Sequence, residues 1–275
     1  MKHGTCALCQ KETNLAESHL LPKALYKSLR NIDPDDMNPL FLNRNVFMRT
    51  SRQIADYLLC TDCEGRFEQE GEGWLLANRF HWPDRFTLQD SLRSAPRMQA
   101  LQTGVILRSD GLPEIEVEPI VYFAASVFWR AAVYTWQAPY EGDPVRLDFG
   151  PKYTEELRRF LLGEAEFPTH AVLLVKVFST RSSWANSMVF PYGERRGEFH
   201  LYRFIVPGIV LDLLLGKKFP PEAPESCFLR GPGHPVFWMD DDRAIIQDAI
   251  KLLRTAVPKG KSFEPFAARP PKRKP

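Results

Sequence analysis

The sequence predicts an α+β protein, with a small N-terminal module over residues 1–80 followed by a larger mixed α+β domain over residues 81–256. Three observations predict it. Four of the five cysteines stand in two Cys-x-x-Cys pairs, Cys6/Cys9 and Cys60/Cys63. Beyond residue 100, helix-length and strand-length apolar runs follow one another with no internal repeat. The composition, 44% hydrophobic and 25% charged over 275 residues, is that of a chain able to bury a sizeable core.

The cysteine pairs come first in the chain. Each has the two-residue gap that lets neighbouring thiolates point at one ion, and four thiolates complete a tetrahedral zinc shell. Disulfides, or four unrelated buried thiols, are the other readings. Disulfides need an oxidising compartment, and the N-terminus Met1-Lys2-His3-Gly4-Thr5 carries no apolar signal segment. The expectation is a cytoplasmic protein with a structural Zn²⁺ held by Cys6, Cys9, Cys60 and Cys63. Fifty residues separate Cys9 from Cys60, so folding must bring the two pairs together.

Between the pairs, residues 20–29 read as a helix with Pro22 suited to its first turn, and residues 31–39 as a loop. Strands are expected over 40–48 and 54–59, the second leading into Cys60. A helix over 64–78 carries Phe67, Trp74 and Leu75 as a buried stripe, with Glu64, Glu68 and Glu72 on another face. The chain changes character over 81–98. Residues 102–118 read as a hairpin turning at Asp110-Gly111. Residues 119–137 form a strongly apolar helix, whose Trp129, Tyr134 and Trp136 read as core, at the centre of the second region. A short amphipathic helix over 153–162 follows, then strands at 171–178, 187–191, 199–206 and 209–214. Asp240-Asp241-Asp242 opens a last helix reaching Ala256, where the aspartates cap backbone N–H groups and offset the helix dipole. Cys227 has no partner and reads as a lone small residue.

Charge narrows the function classes. No apolar run is long enough to span a bilayer, so no membrane partner is expected. Residues 254–275 carry seven Lys and Arg against one Glu, which makes 257–275 a disordered, Pro-rich basic tail or a nucleic-acid contact. Residues 1–90 carry 11 Lys and Arg against 13 Asp and Glu, a balance unlike that of a dedicated DNA-binding finger.

His19, in Ser18-His19-Leu20-Leu21-Pro22-Lys23, is the informative ionisable group. Imidazole is the side chain best matched to proton transfer near neutral pH, and it can activate a water for attack on phosphorus. Such a reaction also needs a divalent ion at the developing charge, and Glu64, directly after the last cysteine, is a carboxylate able to hold one. The other reading of His19 is a histidine that packs at the knuckle and hydrogen-bonds a carbonyl.

Cys-x-x-Cys, then His-Leu-x-Pro, then Leu-Cys-x-x-Cys resembles the pattern of zinc-stapled HNH endonucleases. The matching positions are Cys6 and Cys9, His19-Leu20-Leu21-Pro22, and Leu59-Cys60-Thr61-Asp62-Cys63, within residues 5–78. The variant Ser-His-Leu-Leu-Pro-Lys also resembles a set of bacterial proteins with the same knuckle. The resemblance implies a treble-clef, ββα-metal fold, with His19 as general base, DNA rather than RNA as substrate, and catalytic Mg²⁺ or Mn²⁺ beside the structural zinc. It also implies an asparagine that orients the histidine, for which Asn43 and Asn45 are candidates and Asn45 is preferred. The chain departs from the pattern in Ser18, where the family has a metal ligand, and in Glu64, where it has His or Asn. A catalytically inactive zinc-stabilised module that binds nucleic acid or protein is the alternative. In either case residues 81–256 offer a surface for a protein partner.

Overall fold

Short-range pairing builds the N-terminal sheet. A computed structural model describes residues 2–30, 40–42, 46–49, 53–78, 80–81, 85–137, 144–178, 188–239 and 257–258. Strands β1 (Lys2–Thr5) and β2 (Glu12–His19) form an antiparallel hairpin with Lys2 opposite Leu15 and Thr5 opposite Glu12. Helix α1 (Lys23–Arg30) begins after Pro22, later than the pattern suggests, because the Leu20 N–H is taken by the Ile54 carbonyl at 3.0 Å. The stretch read as one strand over 40–48 is two, β3 (Leu40–Leu42) and β4 (Val46–Arg49), paired antiparallel. Strand β5 (Ala55–Cys60) lies antiparallel to β2 and completes a sheet in the order β1-β2-β5.

At Cys60 the chain passes directly into helix α2 (Thr61–Phe67), which runs through a π-turn, Glu68–Glu72, into α3 (Gly73–Asn78). The Gly73 N–H reaches back five residues to the Glu68 carbonyl, the signature of the wider turn. That turn keeps residues four apart in line, so Phe67, Gly71 and Leu75 face inward while Trp74 is only partly covered. Gly71 is required by close approach: a Cβ there would lie 2.7 Å from the Phe123 backbone nitrogen. The glutamates do not share one outer face. Glu68 is exposed, whereas Glu64 and Glu72 are half-buried.

The second region differs from its sequence reading in three places. After β6 (Phe80–His81), β7 (Arg85–Phe86) and α4 (Thr87–Leu92), the hairpin of β8 (Arg97–Leu101) and β9 (Gly104–Arg108) reverses at Gln102-Thr103, not at Asp110-Gly111. Asp110 instead accepts from Arg108 Nη2 at 2.6 Å, and the Ser109 and Asp110 N–H groups both reach the Gly233 carbonyl, so that turn steers the chain into the next helix. Helix α5 (Val117–Val133) has 14 of its 17 residues buried, as expected of a helix apolar on every side. Helix α6 (Gly150–Leu161) lies beside it, and Tyr122 Oη donates to the Leu161 carbonyl at 2.7 Å.

Strands β10 (Ala171–Phe178), β11 (Val189–Arg196), β12 (Phe199–Val206), β13 (Ile209–Gly216) and β14 (Pro235–Met239) follow. With β8 and β9 they form a seven-stranded sheet in the order β11-β12-β13-β10-β14-β9-β8. Strand β11 continues past Pro191 to Arg196, the second difference. It is an edge strand with a register shift between Val189 and Tyr192, a setting that tolerates proline. Strand β14, the third, has no clear sequence signal and slots between β10 and β9, parallel to the first.

One apolar cluster joins Leu8 of the β1–β2 turn and Leu59 of β5 through Phe67 and Leu75 to Phe123, Phe128 and Trp129 of α5, then to Val175, Phe204 and Leu211 of the large sheet. Residues on both sides of position 80 therefore share one core. Each large side chain buried there contributes roughly 1.5–3 kcal/mol of transfer free energy. Strand β15 (Val257–Pro258), at the start of the basic tail, pairs in parallel with Val46 and Phe47. The expected loop over 31–39, Asn43, Asn45, the expected helix over 240–256 and the rest of the tail lie outside the described residues. Among the described residues no helix is long and apolar enough to cross a membrane.

Candidate functional site

The first cysteine pair occupies the turn of the β1–β2 hairpin. The Cys6 N–H bonds the Lys11 carbonyl and the Gln10 N–H bonds the Cys6 carbonyl, each at 2.9 Å. Closing so tight a loop puts Gln10 in the left-handed region at φ 62°, where its amide Nε2 donates to the Ala7 carbonyl at 2.6 Å. The Ala7 N–H in turn bonds the Leu58 carbonyl at 3.1 Å, which fastens this turn to β5. Cys60 ends β5 and Cys63 lies in the first turn of α2, so the second pair sits at the strand-to-helix corner that the sequence suggests.

The four sulfurs converge, all lying within 4.8 Å of one another, with Cys9 Sγ and Cys60 Sγ 3.9 Å apart. Zinc–sulfur bonds of about 2.3 Å in a tetrahedron set the sulfur–sulfur edges at about 3.8 Å, so the pocket fits that ion. The Cys60 N–H points at Cys6 Sγ from 3.3 Å, a further donor to a thiolate. The bond from the Cys63 thiol holds Cys6 down at about 4, and the same bond, with burial, pushes Cys63 far up. Burial also raises Cys60. A divalent ion is what would let all four sulfurs ionise together. Four cysteines close enough to bind a metal such as zinc are therefore a property of this chain, and among the described residues they are the one such group of His, Cys, Asp and Glu side chains.

His19 is the last residue of β2, paired with Ala55 of β5. Its Nε2 lies 2.7 Å from Gln53 Oε1, and its backbone carbonyl accepts from Arg130 Nη1 at 2.7 Å. Glu64, in the first turn of α2, shares this neighbourhood. Burial raises its carboxyl above the usual range, while Arg130, the Ser18 hydroxyl and His19 draw it down and Glu72 raises it further. Its Oε1 is buried, with no hydrogen-bond partner among the described residues. Ser18 is wholly buried, and its hydroxyl accepts from the Leu59 N–H at 3.1 Å. Glu64 directly follows Cys63, and the charge of His19 reaches its carboxyl. Asn45, read as the residue orienting His19, is outside the described residues, and Gln53 holds the ring.

The residue that the sequence reading does not single out is Arg130. It comes from the middle of α5 with a side chain only 1% exposed. Its Nη2 donates to Glu72 Oε1 at 2.5 Å and to Ser126 Oγ at 3.3 Å, and its guanidinium lies over the Phe67 ring, 5.2 Å from the centroid. A signal exists: Arg130 is the one charged residue between Pro119 and Val133, and a lone cation in so apolar a helix must find partners when buried. Gln53 carries no such signal. At the near end of β5, Tyr134 donates to Asp56, which pushes the phenol up to about 12 and holds the Asp56 carboxyl below its usual range.

Comparison of the chain with protein-family models, with curated proteins and with solved structures finds no match in any of the three.

Proposed function

We propose that the protein is a divalent-metal-dependent HNH-type endonuclease with DNA as its substrate, and that residues 1–80 form a treble-clef module stapled by zinc. The observation that carries this reading is the four-cysteine cluster with His19 at the end of β2 and Glu64 in the first turn of α2, on an antiparallel strand pair, β2 and β5, that leads into a helix. In this chemistry the His19 imidazole accepts a proton from water as its oxygen attacks phosphorus. The bond from phosphorus to the leaving oxygen then breaks, and that oxygen takes its proton from solvent water. Bound Mg²⁺ or Mn²⁺ would stabilise the charge on phosphorus and the leaving oxygen, and the Glu64 carboxylate is the ligand candidate. Arg130 anchors the His19 backbone and keeps positive charge beside both glutamates. Residues 81–256 supply that arginine and offer a surface to a protein partner.

A second reading, an inactive zinc-stabilised binding module, is favoured by Arg130 itself. Its guanidinium already neutralises Glu72, and the neutral Ser18 stands where the family pattern has a metal ligand. Plasmid cleavage by the zinc-loaded protein with Mg²⁺ or Mn²⁺ separates the two. The expected outcome is nicking by the wild type that is lost in His19→Ala while zinc content and fold persist. Cleavage that survives His19→Ala, or silence from the wild type with both ions, overturns the nuclease reading.

A further inference from the structure

We infer that Gln53 is the positioning residue of His19, and that it fixes the imidazole with its proton on Nε2 and the lone pair on Nδ1. A neutral imidazole has one donor and one acceptor nitrogen, and an amide oxygen can only accept. Gln53 Oε1 stands 2.7 Å from Nε2, so Nε2 must carry the hydrogen. The neutral ring then keeps its lone pair on Nδ1.

The contact is held from both ends. On the histidine side, β2 pairs His19 with Ala55, and Arg130 Nη1 grips the His19 carbonyl. On the glutamine side, the adjacent residue Ile54 is buried, its carbonyl accepts the Leu20 N–H at 3.0 Å, and its N–H reaches Tyr26 Oη at 3.4 Å. The Gln53 backbone is thereby fixed one residue from the strand that carries the His19 partner, and its side chain has a short distance to cover. Among the described residues, the charged groups that share this neighbourhood are Glu64 from α2, Arg130 from α5 and, through Arg130, Glu72 of the π-turn. None of them is hydrogen-bonded to an imidazole nitrogen. A neutral amide therefore decides which nitrogen is basic.

The catalytic consequence, that Nδ1 takes the proton from water, rests on the nuclease reading; the tautomer does not. The test is a proton–nitrogen correlation spectrum of the full-length, zinc-loaded protein with ¹⁵N-labelled histidine, recorded at about pH 8, above the ordinary imidazole pKa. His19 is assigned by the signals missing from His19→Ala. The expected result is a slowly exchanging proton on Nε2, lost in Gln53→Leu and retained in Gln53→Glu, whose carboxylate is also an acceptor. A proton on Nδ1, no protected proton on Nε2, or a protected one that survives Gln53→Leu overturns the inference. If Gln53→Leu does not fold, the wild type and Gln53→Glu still decide it, since both must show the Nε2 proton. In cleavage, Gln53→Leu is expected to lower kcat by up to about a hundredfold with KM nearly unchanged, and Gln53→Glu to recover much of the loss. The protected Nε2 proton without any cleavage sinks the nuclease reading alone, and His19-dependent cleavage with the proton on Nδ1 sinks the role of Gln53 alone.

Discussion

Two regions of the molecule bury charge, and they do it differently. In the large sheet, Asp212 of β13 is 1% exposed and both its carboxylate oxygens are partnered: Arg203 Nε lies 2.6 Å from Oδ1, Arg203 Nη2 lies 2.8 Å from Oδ2, and Lys176 Nζ lies 2.8 Å from Oδ2. One carboxylate there faces two cations. Beside the cysteine cluster the ratio reverses: the single guanidinium of Arg130 pairs with Glu72 and reaches Glu64 only through its charge, and among the described residues Glu64 Oε1 has no hydrogen-bond partner. A buried ionic group with all its partners is architecture, because nothing remains for a ligand to satisfy. A buried carboxylate oxygen with none is costly unless something else comes to it.

The contrast is tested most severely by removing what holds the cysteine-bound end. Among the described residues its sheet has three strands, so it leans on the sulfur cluster as the seven-stranded sheet does not. Cys63→Ser is expected to abolish zinc binding and to open residues 2–19 and 55–67 to proteolysis, while protection of the large sheet persists. Structural zinc sites are worth on the order of 10–16 kcal/mol of metal-coupled folding in small peptides. Metal analysis beside limited proteolysis checks it, and a zinc-free variant with the same cleavage pattern would show that the metal is dispensable.

The next effect in size belongs to the sheet. Asp212→Ala leaves Arg203 and Lys176 without their counter-charge and is expected to cost about 3–5 kcal/mol in denaturant unfolding, with zinc content unchanged. Burial alone would raise the Asp212 carboxyl, but Arg203 and Lys176 outweigh it and hold the group well below its ordinary value of 3.8. A depressed carboxyl contributes stability that is present above the unfolded value and lost as pH falls through the folded one. The gap between wild type and Asp212→Ala should therefore be full at neutral pH and begin to narrow once the pH drops below about 4. A gap constant down to about pH 2 would mean that Asp212 acts through packing rather than charge.

A smaller effect probes the cysteine-bound end again. Arg130→Met keeps most of the apolar stem over Phe67 but leaves Glu72 unpaired and frees the His19 carbonyl. Glu72 keeps 15% of its side-chain surface in solvent, so the loss should be nearer about 2 kcal/mol than the full cost of an isolated buried charge. Thermal unfolding measures that loss. Cleavage assays on the same variant should show a fall in kcat larger than the stability change explains, because the arginine holds the histidine backbone. A variant as active as the wild type would reduce Arg130 to a structural pair.

Much of the fold is legible in the sequence, for local reasons. The two-residue cysteine gap, the apolar run that becomes α5, and the strands at 171–178 and 199–206 depend on residues close together in the chain, and all stand within a few residues of where the pattern places them. The hairpin turn falls elsewhere because Asp110-Gly111 is a good turn whose use is decided by Gly233, far along the chain. The π-turn at Glu68–Glu72 is also invisible in the pattern, since it answers to the approach of Gly71 to α5.

The candidate site divides along the same line. Residue type and spacing are enough to name the groups that could do chemistry: four thiols at metal-binding spacing, a histidine between them, and a glutamate fixed next to the last cysteine. How those groups are held emerges only once the chain has folded. Gln53 against His19 spans 34 residues and Arg130 against His19 spans 111, and neither contact follows from the spacing of any motif. Chemical capacity is a property of side chains, written locally. Protonation, tautomer and charge balance depend on which surfaces meet when the core closes, and that is settled by long-range packing.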